Sequence, residues 1–303
     1  MRYFTALKRT SILKTPIVIS SRLPKHFNQQ KAFERPGYKY NFNLPIDYAA
    51  TRIFVQARSN FEATEKALNA LDLLRGIWNL YLNHSGVTRD SFGRLEPINQ
   101  VVRGPISTLH EMGGQPITEV FWYESEYVEP LPCFDLQRRW RELHKFEHTI
   151  RRYLRKSPYR VAVEDAVRRY SRALDTREHN TSFLSLWGLL ETLTNTEKVS
   201  SDITVKRAAA LWDQPDFNKH LLNHLKAYRN RAVHAGYRTD EIETYLHQLR
   251  RYVEGLLTFH IYNVQKFSSI EEAAEFLNLP SDLTVLQKRM RLLQRAIKFH
   301  KGR

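Results

Sequence analysis

Proline nearly vanishes from the chain after residue 135. Of twelve prolines only Pro158, Pro215 and Pro280 lie beyond that point. Apolar residues there recur at three- and four-residue steps almost to the end. A proline inside a helix removes one hydrogen bond and clashes with the preceding turn. Its scarcity, together with a 3.6-residue apolar period, restricts this stretch to successive helices. The pattern predicts helices at 135–156, 159–174, 180–195, 203–213, 216–235, 239–266, 270–278 and 282–299. Ser269 followed by Glu272 has the spacing of a capping box at the penultimate helix. Gly236 stands where the 216–235 helix is expected to end.

The first 130 residues read differently. Ile17 to Ile19, the alternating Tyr38, Tyr40 and Phe42, and Ile53 to Val55 suggest extended segments separated by turns. Phe61, Ala67, Leu68, Leu71, Leu74, Trp78 and Tyr81 then switch to helical period over 60–83. Short extended pieces return over 97–130, with Ile117 to Tyr123 the strongest strand. The expected architecture is an α+β N-terminal domain over 1–130 followed by an all-α helical-bundle domain over 135–303. The first domain shows no catalytic pattern. Arg52, Arg58 and Arg75 could line a binding surface there, although scattered surface arginines are the commoner case.

Charge is unevenly shared. Residues 1–130 hold 16 Lys and Arg against 12 acids, and the rest holds 31 against 20, so +11 of the net +15 lies in the C-terminal part. Such an excess attracts a polyanion or marks a solvated helical surface. The single cysteine, Cys133, allows no disulfide within the chain and no cysteine-based zinc site, which fits a reducing cytosol and a cytoplasmic location. No apolar run approaches the ~20 residues that span a bilayer, so no membrane partner is expected. Lys8, Arg9, Lys14 and Pro16 interrupt any signal-peptide core. No acid precedes Glu34, as in transit peptides, yet a basic first strand or arm is the expected reading.

The informative segment is 216–236, DFNKHLLNHLKAYRNRAVHAG. Wound as a helix, it gathers Leu221, Leu222, Leu225, Tyr228 and Ala232 on one arc. The opposite arc carries Lys219, His220, Asn223, His224, Lys226, Asn230, Arg231 and His234, with no carboxylate after Asp216. A solvated face would hold glutamates as well as lysines; this one suits an anionic ligand.

Arg229-Asn230-Arg231-Ala232-Val233-His234, followed by Ala235 and Gly236, resembles the Arg-polar-x-x-x-His motif of the HEPN superfamily. Upstream, 182–195 (SFLSLWGLLETLTN) is apolar almost all round and carries one carboxylate, Glu191. An apolar helix with a Trp and a lone Glu ahead of the Arg/His helix is similar to ApeA-like HEPN domains. The resemblance covers roughly 135–303. It implies a helical bundle, a metal-independent endoribonuclease acting on RNA, a homodimer, no cofactor, and a role in toxin or antiphage systems. A protein trigger or inhibitor is expected as a further partner. Many such bundles are instead non-catalytic modules that dimerise and bind nucleic acid or protein, which is the alternative expectation.

The residue types suit the chemistry. RNA is cut without metal when its own 2′-OH attacks the adjacent phosphorus. His234 would move protons as general acid or base. Arg229 would clamp the phosphoryl oxygens through its planar fork. Asn230, one turn before the histidine, would position the phosphate or His234. Glu191 lies on the arc of Trp187 and Leu184, an apolar place for a carboxylate, and needs a cation, Arg229 or Arg231. It would orient the arginine or form a structural ion pair. Arg229 and His234 are about 140° apart on an ideal helix. Two remedies are open: a cleft shared between two chains, or unwinding near Ala235 that lets His234 swing round.

Two patterns compete. His144-Lys145-Phe146-Glu147-His148 matches a zinc-peptidase motif. No third ligand follows, and Arg138, Arg139, Arg141, Lys145, Arg151 and Arg152 would repel a dication. His220 and His224 form another i, i+4 pair, discounted in the same way. No Gly-rich phosphate loop and no nucleophile elbow is present.

Overall fold

The computed structural model describes residues 8–12, 14–20, 23–27, 29, 34–35, 38–39, 49–84, 96–124, 136–263 and 265–301. Tyr40, Phe42 and Cys133 lie outside them. The chain is mainly helical, with small antiparallel sheets. It forms two compact units, one of residues 1–155 and 167–182, the other of 156–166 and 183–303.

In the first unit, β1 (Lys8–Ile12), β2 (Thr15–Ser20) and β5 (Ala50–Ile53) make a three-stranded antiparallel sheet with β2 in the centre. Lys8 faces Ile19 across β1 and β2, and Ile17 faces Ile53 across β2 and β5. Ile17, Val18 and Ile19 are all buried, as a continuous apolar run in a central strand requires. Strands β3 (Glu34–Arg35) and β4 (Tyr38–Lys39) pair by themselves, as do β6 (Ile106–His110) and β7 (Pro116–Tyr123). The β6–β7 turn needs Gly114. Its φ is +91°, and a Cβ there would lie 2.6 Å from the His26 carbonyl oxygen.

Helix α1 (Asn60–His84) begins at a capping box: Ser59 Oγ accepts the Glu62 N–H at 3.2 Å, and Glu62 accepts the Arg58 N–H at 2.7 Å. It buries Leu73, Leu74, Ile77 and Trp78, and also Asp72 and Arg75. Arg75, expected as a surface arginine, is 2% exposed. Its guanidinium donates to Asp72 at 2.7 Å and to Asp175 at 2.8 and 3.0 Å. Arg103 and Arg172 close on the same Asp72 carboxylate, each through Nε, at 2.8 and 2.7 Å. Burial alone would raise the Asp72 carboxyl. The charge of Arg75 and the bonds from Arg103 outweigh it and hold the group at about 2. Helix α2 (Leu136–Lys156) turns Leu143, Ile150 and Leu154 inward.

Helices α3 (Arg160–Ala173) and α4 (His179–Leu193) contribute to both units. The second unit adds α5 (Ser201–Ala209), α6 (Pro215–Ala235), α7 (Ile242–Tyr262), α8 (Ile270–Phe276) and α9 (Leu283–Lys301). Its core joins Phe183, Leu186, Trp187, Leu190, Leu222, Leu225, Tyr228, Leu246, Leu249, Val253 and Leu257. At the start of α8, Ser269 Oγ accepts the Glu272 N–H at 3.3 Å, as its spacing predicts. His260 is fully buried: Nε2 donates to the Leu193 carbonyl at 2.8 Å, and Tyr159 stands 3.4 Å from Nδ1. Burial pulls its imidazole down to about 4 against the opposing effect of the Leu193 bond. Helix α9 buries no side chain among its described residues.

Candidate active site on helix α6

Helix α6 opens with Pro215 in its first turn, where a missing N–H costs nothing. Leu222, Leu225 and Tyr228 are its buried stripe, and Leu221 and Ala232 are half-buried at its edge. Tyr228 packs edge-on against Phe183 of α4, with ring centroids 4.9 Å apart, and against Tyr245 of α7 at 5.2 Å. These contacts fix the rotation of α6 and bring its next residue, Arg229, beside the second half of α4.

There Arg229 Nη2 lies 3.7 Å from Glu191 Oε1. This is an ion pair without a hydrogen bond, since it exceeds normal donor–acceptor distances. The same carboxylate oxygen takes the Trp187 indole N–H at 2.7 Å. Trp187 is 1% exposed, so the indole is held by the core and the carboxylate by the indole. The side chains of Glu191 and Arg229 keep 20% and 29% of their exposure. Arg229 Nη1 donates to Asn230 Oδ1 at 3.2 Å. One hydrogen bond, to Asn230, and one longer-range charge, that of Glu191, therefore flank the guanidinium while it remains partly open to solvent. That is an arrangement able to receive an anion.

Of the two cations that the sequence offers Glu191, only Arg229 is with it. Arg231 turns away, its guanidinium 4.6 Å from the centroid of the Tyr237 ring. His234 is exposed on the last helical turn. The helix continues through Ala235 and ends at Gly236, whose φ is +61° and whose N–H reaches the Arg231 carbonyl. His234 thus stays on the helical lattice, and the unwinding near Ala235 that the sequence leaves open does not occur. Among the described residues, no side chain links His234 to Arg229.

The polar arc is less uniformly cationic than the sequence suggests. Lys219 pairs with Asp216 at 2.8 Å, and Lys226 with Asp202 of α5 at 2.6 Å. His220 and Asn223 are exposed, and His224 sits edge-on to Tyr245 at 5.1 Å. Trp187 as the donor to Glu191, and Tyr237 as the partner of Arg231, are the two contributors that the sequence reading passed over. The i, i+4 spacing of Trp187 and Glu191 is a signal for the first; the second depends on the turn after Gly236.

The zinc-peptidase pattern on α2 separates. Glu147 points into the first unit, 1% exposed, and accepts from Thr10 at 2.6 Å, Trp78 Nε1 at 3.0 Å and Arg151 at 3.1 Å. His144 and His148 are exposed on the other side. Among the described residues, no three His, Cys, Asp or Glu side chains converge so as to hold a metal ion. No helix of the described residues is long and apolar enough to cross a membrane. Comparison with protein-family models, with curated proteins and with solved structures finds no match to the chain.

Proposed function

We propose that the chain is a metal-independent endoribonuclease of HEPN type, with Arg229 and His234 at its catalytic centre. The observation that carries this reading is Arg229 held between Glu191 and Asn230, yet open to solvent, five residues before an exposed histidine. In the reaction, the 2′-oxygen of one nucleotide attacks the adjacent phosphorus and gives up its proton. The 5′-oxygen leaves and takes a proton, so the products are a 2′,3′-cyclic phosphate and a 5′-hydroxyl. His234 moves one of these protons. Arg229 stabilises the charge on the phosphoryl oxygens. Asn230 positions the phosphate, and Glu191, itself steadied by Trp187, is a positioning residue for Arg229.

Because His234 stays on the helix, about 140° from Arg229, the reading places the working site between two chains, as a homodimer. The N-terminal region would sense a trigger or select a target, and a toxin or defence role follows from the resemblance. The deciding experiment is incubation of total RNA with the protein in EDTA, wild type beside His234→Ala. Cleavage by the wild type alone, leaving cyclic or 3′-phosphate ends, is expected. RNA bound but uncut by both proteins would replace this reading with the non-catalytic module.

A further inference from the structure

The outward face of helix α2 takes no part in the site on α6. Arg141, Lys145, His148, Arg152 and Arg155 recur at steps of four, three, four and three residues, so they form one stripe along the helix. All five side chains are exposed, and exposed His144 lies beside them. The stripe runs for about 21 Å at 1.5 Å per residue. Arg152 also lies 5.6 Å from the Tyr153 ring centroid.

Acids do not answer these charges. The helix has two, Glu142 and Glu147. Glu142 accepts the Tyr81 hydroxyl at 2.8 Å, and Glu147 is turned into the core beside Arg151. Some helix cations elsewhere are paired locally: Lys66 with Glu62 at 2.7 Å, Arg160 with Glu164 at 2.6 Å, and Lys219 with Asp216 at 2.8 Å. Among the described residues, Arg141, Lys145, Arg152 and Arg155 have no such acid. Instead, Arg141 and Lys145 repel each other across one turn. A helix that only needed to be soluble would intersperse glutamates here. Among the described residues of α2, none is an exposed large apolar side chain of the kind with which a helix enters a bilayer. A row of cations without acids and without grease is complementary to a chain of phosphates.

We infer that this face of α2 docks the phosphodiester backbone of RNA, reading phosphates and not bases. The choice of RNA rests on the ribonuclease reading; the surface does not, because it lies outside the catalytic residues. The test is fluorescence anisotropy of a labelled 20-nucleotide RNA with the full chain carrying His234→Ala, which keeps the RNA intact. It is run at several KCl concentrations, with and without the added pair Lys145→Gln and Arg152→Gln. The slope of log affinity against log salt should become shallower by about 0.7 for each cation removed from a single strand. Affinity should fall about tenfold in low salt, and an all-deoxy strand should show the same losses. Lys66→Gln, on a paired surface lysine, should leave both quantities as they were. Unchanged slope and affinity in the Lys145/Arg152 variant would overturn the inference. So would binding to phosphatidylserine vesicles that depends on the stripe while RNA does not bind. Failure of the wild type to cleave any RNA, with stripe-dependent binding intact, would remove the ribonuclease reading and leave this surface standing.

Discussion

The carboxylate of Glu191 is shared unequally: Trp187 donates to Oε1 at 2.7 Å, while Arg229 approaches the same oxygen only to 3.7 Å. The indole, not the arginine, fixes where the carboxylate sits. The arginine is therefore guided by a charge without being hydrogen-bonded to it, and Asn230 takes one of its N–H donors at 3.2 Å.

Glu191→Gln should separate guidance from stability. The amide oxygen can still accept from Trp187, so only the charge is lost. Partly exposed ion pairs contribute roughly 0–1 kcal/mol, and melting should shift by no more than a few degrees. Cleavage should drop about tenfold, because the cost of a slightly misplaced group falls on the transition state. Thermal melts and single-turnover cleavage check this together. An activity equal to wild type would make the pair purely structural.

Asp72 should govern acid stability of the first unit. Its folded carboxyl titrates near 2, below the ordinary 3.8. A lowered carboxyl stabilises the fold above the unfolded value, and the contribution disappears as pH falls through the folded one. The contribution is roughly 2 kcal/mol, present above pH 3.8 and lost towards pH 2. Asp72→Ala should be far worse at neutral pH, by about 3–5 kcal/mol, since it leaves Arg75, Arg103 and Arg172 without their shared anion. Urea titrations between pH 2 and 7 measure both effects.

His260 acts in a different window. Its folded value, about 4, lies below the ordinary 6.5. Between these limits the unfolded chain takes up a proton that the buried imidazole refuses, so stability declines as pH falls from 6.5 to 4. The full decline is about 3 kcal/mol. His260→Gln keeps a donor for the Leu193 carbonyl and should flatten the urea midpoint over that range. A profile as steep as wild type would place the titration elsewhere.

Periodicity made the helices legible, and with them the stripe of α6, because a core-facing helix must repeat its apolar residues. The expected 216–235 span corresponds to Pro215–Ala235. Meeting of Glu191 and Arg229 was also legible, since a carboxylate on an apolar arc needs a cation. The direction of Arg231 was not: it depends on Tyr237, which a left-handed Gly236 turns back towards the helix end. Nor was the burial of Arg75. An arginine in a helical pattern looks like surface, and its acceptors Asp175 and the Val101 carbonyl come from distant segments. The burial of Glu147 was not legible either, because its partners Thr10 and Trp78 are far away in sequence.

The proposed sharing of the site between two chains makes a mixing prediction. Arg229→Ala and His234→Ala should each lower cleavage by about 10²–10⁴-fold, with melting unchanged because neither side chain belongs to the core. Light scattering of the wild type should give twice 35.9 kDa. The double variant should be little worse than either single one, since residues acting as a unit are not additive. Mixing then decides where the site is built. If Arg229 of one chain works with His234 of the other, a heterodimer of the two single variants keeps one intact pair and recovers activity that neither homodimer has. If each chain builds its own site, the heterodimer stays inactive. That result would require Arg229 and His234 to reach one phosphate from the same helix despite their angular separation, and would leave dimerisation a structural role only.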